Sequence, residues 1–155
     1  MPQQNKPDAK VLGWREWVSL PELGLGQVKA KIDTGARTSA IHAFKVLQVG
    51  NDVHFQVHPL QSDIKTVVSC IAPIKDVRNV RDSGGHLEER FVIETPLQLG
   101  GELWPVELTL TSRDDMRFRL LIGRTAIRGR FLVDASRSYL VSKRGAPGVS
   151  STVEQ

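Results

Sequence analysis

The strongest constraint on this chain of 155 residues lies between Gln27 and Gly35. Apolar Val28, Ala30 and Ile32 alternate with Lys29 and Lys31, the period of a strand with one buried face. The strand then delivers a carboxylate, a hydroxyl and a glycine in succession, Asp33-Thr34-Gly35. A second apolar run, Leu120-Leu121-Ile122, ends at Gly123-Arg124.

Most of what surrounds these two runs also reads as short strands. Val11 to Leu20 is one strand, Pro21 to Gly26 a turn and Gln27 to Ile32 its partner. Thr38 to Ala43 leaves the Asp-Thr-Gly loop as a short strand. Val46–Val49 and Val53–Val57 flank Gly50-Asn51-Asp52 as a hairpin, and Ile64 to Ile71 follows as a strand. Gly84-Gly85 among polar neighbours marks a hairpin tip. Phe91 to Leu99 and Leu103 to Leu110 return around Gly100-Gly101. Arg124 to Arg128 is a short helix that Gly129 stops in the left-handed conformation. Phe131–Val133 and Tyr139–Val141 close the chain as strands. Together these predict an all-β closed barrel with one short helix. Residues 1–10 are expected to be a flexible N-terminus, 11–143 the folded domain and 144–155 a flexible tail.

Composition narrows the partners. No apolar run reaches the ~18 residues of a membrane span, and the N-terminus has no apolar core of a signal peptide. Cys70 is the lone cysteine, which excludes an internal disulfide and fits a cytoplasmic location. Residues 113–130 carry six arginines against Asp114 and Asp115, a local net charge of +4 that invites an anion. No aromatic platform or nucleic-acid motif accompanies them, so no nucleic-acid partner is expected.

Asp-Thr-Gly-Ala followed by an apolar run into Gly-Arg resembles the retropepsins, the single-domain aspartic proteases that work as homodimers. Gly13-Trp14-Arg15-Glu16-Trp17, Asp33 through Ala40, and Gly123-Arg124-Thr125-Ala126 through Asp134 are similar to one bacterial branch of that family. The branch is historically labelled an ATP-dependent zinc protease and is associated with RimK-type glutamate ligases. The likeness covers residues 11 to 141. It implies a retropepsin-like barrel and a catalytic Asp33-Thr34-Gly35 loop. It also implies a flap whose tip is Ser83-Gly84-Gly85, and a groove bordered by Ala36, Arg37 and Arg124. The ligase association implies a substrate with a glutamate-extended tail.

Chemistry adds a requirement. Amide hydrolysis by carboxylates needs one group to take a proton from water and another to give one. The chain supplies Asp-Thr-Gly once, so a retropepsin-like mechanism needs a two-fold homodimer with two copies of Asp33 apposed. Thr34 is then expected to tie the two loops by hydrogen bonds. Gly35 is expected to let the carboxylates approach without a Cβ clash. Where typical viral sequences carry a second aspartate, this chain has Arg37. Arg37 and Arg124 are expected side by side, neutralised by Asp114, Asp134 or the substrate. An arginine pair binds carboxylates bidentately, which favours acidic peptides. No metal and no cofactor are expected. His42, His54, His58, His86 and Cys70 lack a zinc-ligand spacing, with His54 and His58 ~13 Å apart on one strand face. A Gly-x-x-x-x-Gly-Lys-Ser/Thr loop for ATP is missing too. A non-catalytic module that grips acidic peptides on the same fold, and a zinc hydrolase, are the alternatives.

Overall fold

A computed structural model describes residues 10–61, 63–81, 84–113 and 117–143. The described residues form twelve strands, one short α-helix and a 3-10 turn (Pro21–Leu23): β1 (Lys10–Gly13), β2 (Arg15–Leu20), β3 (Leu25–Asp33), β4 (Ser39–His42), β5 (Phe44–Val49), β6 (Asp52–Val57), β7 (Val68–Pro73), β8 (Asp76–Arg81), β9 (Leu87–Leu99), β10 (Glu102–Thr111), β11 (Leu120–Gly123), α1 (Arg124–Ile127) and β12 (Phe131–Asp134). Six strands run in the order β10-β4-β11-β3-β2-β9, and β9 pairs again with β10. The sheet therefore closes on itself into the expected barrel, which leaves these strands no free edge. Strand β8 hangs on the outside of β9 as one arm of a hairpin. No described helix is long and apolar enough to cross a membrane.

The phase of β3 shows how sequence sets this packing. Leu25 and Gln27 point inward, then Val28, Ala30 and Ile32 do. The change of phase coincides with a bulge against β2, where Val18 pairs Val28 but Leu20 pairs Leu25. One extra residue in β3 turns the strand so that both apolar sets face the core.

The segment 44–75 forms its own three-stranded sheet, β5-β6-β7. Val53, Phe55 and Val57 alternate with His54 and Gln56 and join the barrel's core, with Cys70 and Ala72 beside them. Its third strand is shorter than expected. Residues before Val68 form a turn instead, because the Asp63 carboxylate captures the amides of Lys65 (2.7 Å) and Thr66 (3.4 Å) and the Thr66 hydroxyl (2.9 Å).

Two other expectations are corrected. Val11 to Leu20 is two strands rather than one, because the chain changes partners at Trp14. β1 pairs in parallel with β12, whereas β2 pairs antiparallel with β3. Trp14 donates to the Arg137 carbonyl (2.8 Å) and accepts from the Ile32 amide (2.8 Å). Tyr139–Val141 is not a strand at all. Tyr139 sits at φ 54°, and the next amides turn toward a buried carboxylate, that of Glu16. Glu16 is fully buried. It accepts from Gly13 N (2.6 Å), Leu140 N (2.8 Å), Val141 N (3.3 Å) and the Ser142 hydroxyl (2.6 Å). A side-chain acceptor replaces the sheet ladder for these amides, which satisfies them without a strand.

Candidate active site

Strand β3 ends where β11 ends. The two are parallel neighbours with Gly123 opposite Asp33. The loop between Asp33 and Ser39 therefore leaves the barrel beside the start of α1. Backbone and side-chain bonds join the two. The first helical amides, which have no partner within a helix, donate to loop carbonyls: Arg124 N to Ala36 O (2.8 Å) and Thr125 N to Arg37 O (3.2 Å). The Thr125 hydroxyl also donates to Arg37 O (2.9 Å), and Gly123 N donates to the buried Ser39 hydroxyl (2.9 Å). Helix and loop thus form one unit.

Within that unit Asp33 is half-buried and its loop folds back on it. Gly35 N donates to Asp33 Oδ1 (3.1 Å) and Ala36 N to the Asp33 carbonyl (3.1 Å). Among the described residues the second carboxylate oxygen, Oδ2, has no hydrogen-bond partner, and neither has the exposed Thr34 hydroxyl. Arg124 reaches back along the loop, with Nη1 3.4 Å from the Thr34 carbonyl. The fold thus gathers Asp33, Thr34, Gly35, Ala36, Arg37 and Arg124 into one place.

The arginines, however, are turned to different tasks. Arg124 leans on the loop, whereas Arg37 lines a cleft of about 830 Å³ between α1 and the β9–β10 ribbon. Neither guanidinium has a carboxylate partner among the described residues. Asp134 is engaged with Ser136 N (2.9 Å) and Oγ (2.6 Å), bonds that hold its carboxyl below the usual range. Asp114 lies outside the described residues.

The expected flap is the β8–β9 hairpin. Ser83 lies outside the described residues, and Gly84 and Gly85 form the exposed tip. Gly85 is the left-handed glycine, at φ +87°, and its carbonyl accepts from Arg81 Nη1 (2.7 Å) on the same hairpin. The base of the hairpin, through Arg78 and Arg90, lines the same cleft as Arg37.

A zinc site finds no ligand set. Among the described residues no three His, Cys, Asp or Glu side chains group as metal ligands. His54 stands opposite Ile71 while Cys70 stands opposite Phe55, so the two face opposite sides of their sheet. Burial pushes the Cys70 thiol up to about 11, which keeps it protonated. His42 and His58 stack with Phe44, and His42 Nδ1 accepts from the Arg113 amide (3.0 Å).

The sequence assigns no individual role to Ser39, Thr125 or Glu16, and Arg128 enters its functional reading only as one of the six arginines that invite an anion. All four sit inside the quoted stretches, but their partners are remote in sequence and no spacing announces them.

Comparison with known proteins agrees with this geometry. The family model of the retropepsin-like aspartic endopeptidase RimB matches residues 11–144. A protein of Desulfotalea psychrophila named "Probable alpha-L-glutamate ligase" is 47% identical over 129 residues, 81% of this chain and 28% of that protein. One of Shewanella pealeana with the same name is 42% identical over 139 residues, 87% of this chain and 30% of that protein. The chain spans less than a third of the length of these relatives. A crystal structure of a Legionella pneumophila protein of unknown function superposes with a TM-score of 0.71 at 23% identity, covering 86% of this chain and 98% of that one, a likeness of fold. With a barrel, an Asp-Thr-Gly loop and a Gly-Arg strand in the expected places, the chain belongs to the RimB-like family of retropepsin-like aspartic endopeptidases.

Proposed function

We propose that this protein is an aspartic peptidase that hydrolyses peptide bonds in acidic, glutamate-extended tails, using Asp33 from each of two copies. One observation carries the reading: a single carboxylate stands on a loop bonded to β11 and α1, with Oδ2 and the neighbouring Thr34 hydroxyl free of partners among the described residues. In a two-fold dimer Thr34 would bond the facing loop, and the two carboxyls would share a proton. The ionised one takes a proton from water as its oxygen attacks the carbonyl carbon, and the protonated one gives its proton to the carbonyl oxygen. The carboxyl that took water's proton then gives it to the nitrogen, while the other takes a proton back from a hydroxyl of the tetrahedral intermediate. Collapse of that intermediate breaks the C–N bond and releases an acid and an amine.

The acidic substrate is supported by charge and by relatives. Arg37 stands on the Asp33 loop without a carboxylate partner among the described residues. Relatives named for glutamate ligation carry a domain like this within a longer chain, and a hydrolase would oppose such a ligase.

A second reading is a module that binds acidic peptides without cleaving them, because the arginine-lined cleft does not include Asp33. The test measures binding and cleavage separately for wild type and Asp33→Asn, on a peptide ending in a run of glutamates. The proposal expects loss of cleavage with binding retained. Cleavage persisting in Asp33→Asn would move the chemistry elsewhere, and binding without cleavage by the wild type would favour the module.

A further inference from the structure

The cleft between α1 and the β9–β10 ribbon has a composition the loop alone does not explain. Five arginines and two glutamates face it, a net charge of +3. The glutamates are answered from outside: Lys75 bonds Glu94 at 3.2 Å and Glu107 at 3.0 Å. Three arginines are answered too. Arg78 pairs with Asp76 (2.9 Å) and Glu107 (3.4 Å), Arg90 with Glu88 (2.9 Å) and Arg130 with Glu102 (3.2 Å). Arg37 and Arg128 have no carboxylate within ion-pairing distance among the described residues. The uncompensated charge of the cleft therefore sits on these two side chains, from opposite ends of the helix–loop unit.

Both are mounted on rigid backbone. The Arg37 carbonyl is held twice by Thr125. Arg128, at φ −58° and ψ 131°, and Gly129, at φ +83°, are the central residues of a turn that Arg130 N closes onto Ile127 O (2.9 Å). Those angles are of the type II turn, which needs a residue tolerant of positive φ at its third position, here glycine. Trp104 pins the helix to the barrel by donating Nε1–H to the Ala126 carbonyl (3.0 Å). With the backbone fixed, only the exposed side chains remain to be ordered when a ligand arrives.

We infer that this cleft is a secondary binding site for the acidic tail of the peptide, apart from Asp33, and that Arg128 together with Arg37 selects for it. The inference rests on the proposed activity for the direction of the substrate, since Arg37 belongs both to the cleft and to the Asp33 loop. A volume of about 830 Å³ is that of a whole ligand site rather than of one carboxylate. A nucleic acid fits less well. Trp104 is 6% exposed and Arg130 lies 4.7 Å over its ring, so the cleft has no open aromatic face on which a base could stack.

The experiment uses the full chain carrying Asp33→Asn, so that binding is read without cleavage, and a fluorescein-labelled hexaglutamate peptide followed by anisotropy. Hexaglutamate is expected to bind and hexaglutamine not. Arg128→Ala should raise Kd about tenfold and Arg128→Glu further, while Arg128→Lys keeps most of the affinity. The salt dependence should become shallower in the Ala variant. Unchanged affinity in both Arg128→Ala and Arg128→Glu, absence of hexaglutamate binding, or tighter binding of a ten-nucleotide single-stranded RNA would overturn the assignment. Failure of the peptidase reading is separable. It appears as no cleavage by the wild type, with the Arg128 dependence of binding intact. Failure of the cleft appears as cleavage whose KM ignores Arg128.

Discussion

Gly123 passes beneath Thr38 with no room for a side chain. A β-carbon built on Gly123 would stand 2.5 Å from the Thr38 carbonyl oxygen and 2.9 Å from that of Ala36. Both obstacles are backbone of the Asp33 loop, and both strands behind them are locked into the barrel. Gly123→Ala must therefore push the loop away from β11. It is expected to lower stability by roughly 1–3 kcal/mol, as overpacking does, and to weaken peptide cleavage more than an equal loss of stability elsewhere. Thermal melts and kinetics on the same preparation check both parts, and a fully active variant would mean the loop tolerates displacement.

Glu16 supplies the acceptors for three amides and a hydroxyl that no strand serves. Glu16→Gln replaces one carboxylate oxygen with an NH₂ donor, which then faces donors. An orphaned buried donor costs about 1–3 kcal/mol, so unfolding in urea should show a loss of about 2–4 kcal/mol with residues 139–142 loosened. Hydrogen exchange at Leu140 and Val141 is the local readout. Wild-type stability would show that water or another group replaces the carboxylate.

Burial raises the Cys70 ionisation to about 11, and its Sγ–H donates to the Leu23 carbonyl (3.4 Å). At pH 8 only about one thiol in a thousand is then ionised, and thiolate is the reactive form. Iodoacetamide is expected to leave the native protein unmodified at pH 8 and to label it rapidly once unfolded. The reaction should quicken as pH rises toward the raised value. Rapid native labelling would place the thiol at the surface.

A dyad built from two copies makes a stoichiometric prediction. Adding an equal amount of Asp33→Asn to a fixed amount of wild type, with time for subunits to exchange, should cut cleavage to about half, because mixed dimers lack one carboxyl. Sites that work alone would show no change. Sedimentation of the mixture confirms that exchange occurred.

The sequence by itself determined the class of fold and marked the two strand ends that meet at the Asp33 loop. Strand-period alternation and glycine turns announced the strands of the barrel, because side-chain direction along a strand is a local property. Asp33-Thr34-Gly35 and Gly123-Arg124 were legible because each sits at the end of an apolar run. Tertiary structure alone decided where the remaining groups meet. Tyr139–Val141 has strand-like residues, yet a carboxylate more than a hundred positions earlier captures its amides. Arg37, Arg78, Arg90 and Arg128 come from a loop, two strands of a hairpin and a turn, and only barrel closure sets them around one cleft. Which arginines keep a free charge depends on carboxylates brought near by strand register, and register is fixed by packing across the sheet, not by neighbours in the chain.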